Sequence, residues 1–220
     1  MNISTSSQRM HIHQAKNYPF LQRIVGPPSP YRSARHLHEE LEISLNPGRI
    51  WHTVCRGKTH HISPNAILLT PPEEPHIAFS PEQGSTYYLG LRIHPASLTD
   101  MLSEMTERPQ TMLFFPELLI NETIFSQHLL ALHSMLETGQ NSRLEQDALL
   151  QHIMLHLIRV SSSHIFLHSS GQEPGAIKIA KMYIQEHYQE NISLQQLAQQ
   201  VNLSPFYFSR IFHAALVHSQ

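Results

Sequence analysis

Apolar and polar positions change rhythm along the chain, and each change marks a different kind of element. Residues 1 to about 20 mix Ser, Gln and Asn with scattered His at no sustained period, the pattern of a flexible lead-in. From Tyr31 to His94 the chain runs in short segments rich in β-branched, aromatic and aliphatic residues. Asn46-Pro47-Gly48, Ser63-Pro64-Asn65 and Pro71-Pro72 punctuate them. Leu41, Ile43 and Leu45 alternate with Glu42 and Ser44, which predicts a half-buried strand turning at Asn46 into a second strand over Ile50–Val54. Ala66–Thr70, Ile77–Ser80 and Tyr87–Ile93 supply further strands, and spacings of about ten residues suit a sandwich or small barrel.

After Pro95 the period lengthens to that of a helix. Ala96–Glu107 reads as a short helix with proline in its first turn. Asn121 is placed to cap a helix carrying Ile124, Leu129, Leu132 and Leu136. Leu144, Ala148, Leu149, Ile153, Leu155, Leu157 and Ile158 line another. The apolar arc of that last helix is wide. It fits a helix shared between the β-unit and a twin chain, and it fits full burial within one chain. Residues 161–175 are rich in Ser and Gly, and a linker is placed at 168–174. Helices are then predicted over Gly175–Tyr188, Ser193–Gln200 and from Ser204 to about Leu216.

The fold class is therefore α+β: a β-barrel with packed helices over 21–167, a linker over 168–174, and a small all-α unit over 175–220. Charge adds a constraint. Fifteen Lys+Arg against 17 Asp+Glu give a formal net charge of -2, so no chain-wide positive field is available to hold nucleic acid or anionic lipid. No apolar run approaches membrane-helix length, and a single cysteine, Cys55, forms no internal disulfide. The start of the chain lacks the apolar stretch of a signal peptide, so the expected compartment is the cytoplasm and no membrane partner is expected. With eight glycines and no Gly-rich loop, nucleotide-dependent chemistry is disfavoured.

The strongest local pattern lies near the C-terminus. Ser193 is placed to cap a helix whose inner face is Leu194, Leu197 and Ala198, and the small Ala198 permits a second helix to cross steeply. Val201 and Leu203 plug the turn, and Ser204-Pro205 starts the next helix. Phe208, Ile211 and Phe212 recur at helical spacing as the buried side. Phe206, Tyr207, Ser209, Arg210 and His213 share the rest, with Phe206, Ser209, Arg210 and His213 on one outward face. In a helix-turn-helix that face enters the major groove of double-stranded DNA, where an arginine bridges guanine O6 and N7. The plainer reading is an ordinary packed helix pair, with Arg210 solvated and Phe206 in the core.

The stretch NISLQQLAQQVNLSPFYFSRIFHAA resembles the first helix-turn-helix of AraC-type (arabinose-regulator family) transcription factors, and AIKIAKMYIQEHYQEN resembles the helix before it. RHLHEELEISL with TPPEEPHIAF resembles the cupin-like effector-binding domain of the same family, and residues 91–167 resemble its dimerisation and linker helices. The resemblance implies a ligand-responsive regulator that binds a small-molecule effector in the barrel and pairs as a homodimer through helices in 121–167. It implies base-reading positions at Phe206, Ser209 and Arg210, with His213 nearer the backbone. One feature departs from the family: HAALVHSQ shows no turn leading to a second helix-turn-helix, which suggests a shortened regulator. From residue 172 onward, Lys178, Lys181 and Arg210 balance Glu173, Glu186 and Glu190, so weak DNA binding by this unit alone is expected.

In the barrel, His36, His38 and Glu42 share even parity, and on one continuous strand they would face the same way, with His76 on a later segment. Such a set resembles the metal ligands of cupin enzymes and is a suitable first shell for iron, manganese, nickel or zinc. The plainer reading is a polar ligand pocket or a solvated face, and no metal or other cofactor is assigned. The effector-site expectation is Arg35, His36, His38, Glu42, Trp51 and His76 converging in the barrel mouth. The expected function is an AraC-type regulator and not an enzyme. Two alternatives stand beside it: a cupin-type metal-dependent enzyme, and a shortened partner that pairs with full-length regulators and weakens their DNA binding.

Overall fold

A computed structural model describes residues 10–27, 29–84, 88–106, 109, 113–139, 142–161 and 174–217. The strands are β1 (His11–Gln14), β2 (Leu21–Val25), β3 (Ser29–Arg32), β4 (Leu41–Leu45), β5 (Trp51–Cys55), β6 (Lys58–Ile62), β7 (Ile67–Thr70), β8 (His76–Gly84), β9 (Leu89–Ile93) and β10 (Leu119–Ile120). The helices are α1 (Pro95–Thr106), α2 (Thr123–Thr138), α3 (Arg143–Val160), α4 (Pro174–Glu186), α5 (Leu194–Gln200) and α6 (Pro205–Val217).

Two antiparallel sheets, ordered β1-β2-β9-β4-β7-β10 and β3-β8-β5-β6, face each other. The alternation in β4 explains the layering. Its odd residues Leu41, Ile43 and Leu45 pack toward α1, α2 and α3 in one core with Leu98, Leu102, Phe125, Leu132, Ile153 and Leu157. Its even residues Glu42 and Ser44 are buried as well, on the opposite face. The larger sheet is thus covered on both sides, by helices on one and by the smaller sheet on the other. Burying one of those Leu or Ile side chains contributes about 1.5–3 kcal/mol. His133 of α2 ties the layers together, donating from Nε2 to the Ile24 carbonyl at 2.9 Å.

Several expectations change. Residues 11–20 are not a free lead-in: β1 pairs with β2 from His11↔Val25 to Gln14↔Gln22, and Ala15 and Tyr18 are buried. Residues 1–9 lie outside the described residues, as do Tyr87 and residues 168–173 of the expected linker. A strand unforeseen from the pattern, β6, pairs with β5 across a two-residue hairpin at Arg56-Gly57 (φ 50° and 71°). Asn121 does not cap α2; Glu122 occupies the position without a side-chain capping bond.

The C-terminal helices have their own core of Ile177, Ala180, Ile192, Leu194, Leu197, Ala198, Phe208 and Ile211. Ser193 and Gln196 form a reciprocal capping box, with Gln196 N donating to Ser193 Oγ at 3.2 Å and Ser193 N donating to Gln196 Oε1 at 2.7 Å. Asn202 takes the left-handed conformation (φ 54°) that the tight α5–α6 turn demands and that asparagine tolerates. Ser204 Oγ accepts from Tyr207 N at 3.2 Å, starting α6.

Candidate functional site

Two places gather the polar side chains singled out in the sequence: the interior of the barrel, and the seam where α6 meets the helix layer.

In the barrel, His36 and His38 are not on a continuous strand with Glu42, because β4 begins at Leu41. The segment before it is irregular and touches β8 through a bridge between His36 and His76. The rings still meet: His36 and His76 centroids lie 4.3 Å apart, His38 and His76 5.2 Å, and His36 and His38 6.4 Å. Each Nδ1 donates to a carbonyl two residues away, His36 to Ala34 at 3.0 Å, His38 to Glu40 at 2.8 Å and His76 to Glu74 at 2.9 Å. That places a proton on each Nδ1. Burial pulls the His38 and His76 imidazoles below the usual histidine range, so both are neutral at pH 7. Glu42 is the buried charge of the cluster. Arg92, its direct partner across β4 and β9, donates to it from Nε at 2.8 Å, and His38 Nε2 lies 3.4 Å away.

Trp51 is buried and stacks on Tyr88 at 5.4 Å and 8°. A side chain at Gly26 would overlap the Tyr88 ring, so glycine there lets the ring reach its place. The Trp51 Nε1 is sealed from solvent with no hydrogen-bond partner among the described residues. His36, Glu42, Trp51 and His76 wall one pocket, but it offers only about 10 Å³, room for a single water. Two of the six expected residues lie outside those walls: Arg35, which is exposed, and His38, which is buried behind them against the His76 ring. The donor set suits a metal in tautomer but not in spacing. Among the described residues no group of three or more His, Cys, Asp and Glu side chains stands where it could hold a metal ion. No chemical step is assigned to one.

The helix pair α5–α6 has the expected form, but its outward face is not open. Phe206 is only 8% exposed and belongs to the barrel-side core, with Met105, Leu150 and Met154. Gln151 of α3 donates from Nε2 to the Pro205 carbonyl at 3.3 Å. Phe206 therefore cannot touch a base while α6 rests on α3, which corrects its assignment to an outward face. Arg210, Tyr207 and Ser209 are half-buried and His213 is exposed. The Arg210 guanidinium lies 5.9 Å from the Tyr207 ring centroid.

A second contact fixes the other end of the seam. Asp147 of α3 accepts from the backbone N–H of Leu194 at 2.9 Å, satisfying one orphan amide at the start of α5. Its other oxygen accepts from Tyr18 Oη at 2.7 Å and from Arg143 Nε at 2.9 Å. The Arg143 backbone N–H in turn donates to Asn191 Oδ1 at 2.7 Å. Burial, with the bond to Asp147, pushes the Tyr18 hydroxyl far above its usual range, so it keeps the proton it donates to Asp147. None of Tyr18, Arg143, Asp147 and Gln151 was singled out in the sequence. The i,i+4 spacing of Arg143 and Asp147 was a visible signal for that pair. Part of the second apolar side of α3, which fitted a twin chain or burial within one chain, is covered within the chain: Leu144 packs on the C-terminal core. Among the described residues no helix is long and apolar enough to cross a membrane.

Comparison with known proteins bears on both units. Residues 184–216 match the family of bacterial regulatory helix-turn-helix proteins, AraC family. An uncharacterized HTH-type transcriptional regulator of Bacillus subtilis (strain 168), YbfI, is 23% identical over 177 residues, which is 80% of this chain and 64% of the relative; the chain thus spans under two thirds of that protein's length. The structure of the AraC-like transcriptional activator CuxR superposes with a TM-score of 0.42 at 10% identity, covering 88% of this chain and 69% of that one. A cupin 2 conserved barrel domain protein from Salinispora arenicola CNS-205 gives 0.35 at 17% identity over 43% of this chain and 83% of its own. Residues 23–157, more than half of the sequence, match the AraC-like ligand binding domain, and the chain belongs to that family.

Proposed function

We propose that the protein is a ligand-responsive transcriptional regulator of the AraC type, working in the cytoplasm, that reads double-stranded DNA through α6 and has no enzymatic role. The observation that carries this reading is the α5–α6 pair: a capping box at Ser193, the small Ala198 at the crossing and the Asn202 turn, on the same chain as an AraC-like ligand-binding barrel. Ser209, Arg210, Tyr207 and His213 are the contacts α6 offers to DNA, and Arg210 is the one suited to a guanine edge. Reading requires α6 to leave α3, because Phe206 and the Gln151–Pro205 bond hold it there. An effector regulates by favouring one of these two arrangements over the other.

In the barrel, His36, His38, Glu42, Trp51 and His76 are the groups that meet the effector, and the Trp51 Nε1, without an acceptor among the described residues, is the donor for it. With about 10 Å³ to start from, effector binding there must open the barrel. Pairing of two chains through helices in 121–167 completes the reading, and the exposed Ile124 side of α2 is the surface for it (60% exposed). The C-terminal unit is described to residue 217 and has few cations, so two copies on one DNA raise a weak single contact. Selection of duplexes from a random pool by the purified chain tests the proposal. Enrichment of one sequence, lost on Arg210→Ala, is the expected result; a pool that stays random overturns it.

A further inference from the structure

The seam between α1, α3 and α6 holds a cleft of about 530 Å³, far roomier than the barrel interior. Met105, Leu155 and Phe206 supply apolar wall, while Arg210, His152 and Ser209 supply polar groups at the same cleft. Among the described residues no carboxylate lines it and Arg210 makes no ion pair. A half-buried guanidinium beside an apolar wall, with no counter-charge among the described residues, is suited to a ligand that brings one negative charge and an apolar body. Burial, with His128 and His213 nearby, holds the His152 imidazole below its usual range, so at pH 7 it adds a hydrogen-bonding group and no second cation.

We propose that this cleft is a ligand site, distinct from the barrel, for a compact apolar monocarboxylate whose carboxylate pairs with Arg210. The volume admits a single aromatic ring or a short branched chain beside the carboxylate, and the planar fork of arginine favours two-point pairing with it. Such a ligand bridges α3 and α6 and occupies the group that would read a base. It therefore stabilises the docked arrangement and opposes DNA binding. The binding claim stands on the cleft alone; the effect on DNA rests on the regulator reading given above.

Calorimetric titration of the full chain with 4-phenylbutyrate and with its neutral amide tests the site. The carboxylate is expected to bind roughly tenfold or more tightly than the amide. Arg210→Gln should erase that preference, and Leu155→Trp, which fills the cleft, should abolish binding while circular dichroism stays unchanged. Equal affinity for acid and amide, no heat at millimolar ligand, or binding that survives both substitutions would overturn the proposal. The acid–amide comparison needs no variant, so a substitution that fails to fold leaves the test intact. On a selected duplex, 4-phenylbutyrate should weaken retention of the wild-type chain. Unchanged retention with the cleft filled overturns the competition, whereas a chain that binds the acid but selects no DNA overturns only the regulator reading.

Discussion

The barrel interior and the α3–α6 seam each collect histidines around one arginine, yet the two arginines live in opposite circumstances. Arg92 is buried against Glu42 at 2.8 Å, beside three imidazoles pinned by their own backbone, and the cleft of about 330 Å³ that it borders carries a second carboxylate, Glu40. Arg210 is half-buried beside a cleft of about 530 Å³ with no carboxylate of its own among the described residues. A charge that is buried and already paired serves the fold. A charge left over beside open apolar space is available to something that arrives from outside.

That contrast is open to direct attack. The largest effect should come from Glu42→Ala, which leaves Arg92 buried without its partner and should cost about 3–5 kcal/mol in urea unfolding. Arg210→Ala should stay within about 1 kcal/mol in the same assay, and equal losses for the two would erase the distinction drawn here. Phe206→Ala comes next. It removes the ring that anchors α6 in the barrel-side core and should cost about 3 kcal/mol; a change near zero would mean that α6 does not rest there.

Asp147→Ala leaves the Leu194 amide and the Tyr18 hydroxyl without their acceptor, an expected loss of about 1–3 kcal/mol. Loosened C-terminal helices should show it as faster hydrogen exchange in α5 than in β4. Uniform exchange across both units would argue against Asp147 as a tie between them.

The smallest effect is one of pH. Burial lowers the folded-state pKa of His38, His76 and His133, so the unfolded chain binds more protons as pH falls through the ordinary histidine range. Their contribution is fully present above about pH 6.5, the unfolded value, and is lost as pH falls from there through the lowered folded values. Urea midpoints should be level from pH 7 to 8 and should drop toward pH 5. His76→Gln should flatten part of that slope; an unaltered slope would place the titrating groups elsewhere.

How far the sequence could be read depended on whether the deciding contact was local. The alternation of β4 was visible because Leu41, Ile43 and Leu45 all face one helix layer. The capped α5 and α6 were visible because Ser193, Ala198 and Ser204-Pro205 act within a few residues of themselves. Strand β6 was not, since Lys58, Thr59, His60 and His61 carry no apolar alternation and the strand sits at a sheet edge; Gly57 in its hairpin was the one clue. The histidine cluster was anticipated for a wrong reason. His36 and His38 reach His76 through a loop and a bridge, not through strand parity.

The ion pair of Glu42 with Arg92 joins residues 50 positions apart and left no trace in spacing. The docking of Phe206 escaped notice for a similar reason. A helix carries two apolar sides whenever it has two neighbours, and periodicity within α6 or α3 does not say which neighbour is which. The same ambiguity left α3 open to a twin chain or to burial within one chain, and Leu144 and Asp147 meet the chain's own C-terminal helices.

Base discrimination by Arg210 is the most direct probe of the account. On the duplex enriched by selection, the wild-type chain and Arg210→Ala are compared for affinity against every single-base-pair change. The account predicts that the variant loses about 1–3 kcal/mol of preference at one G·C pair and keeps its preferences elsewhere. Identical preference profiles for the two proteins would contradict it.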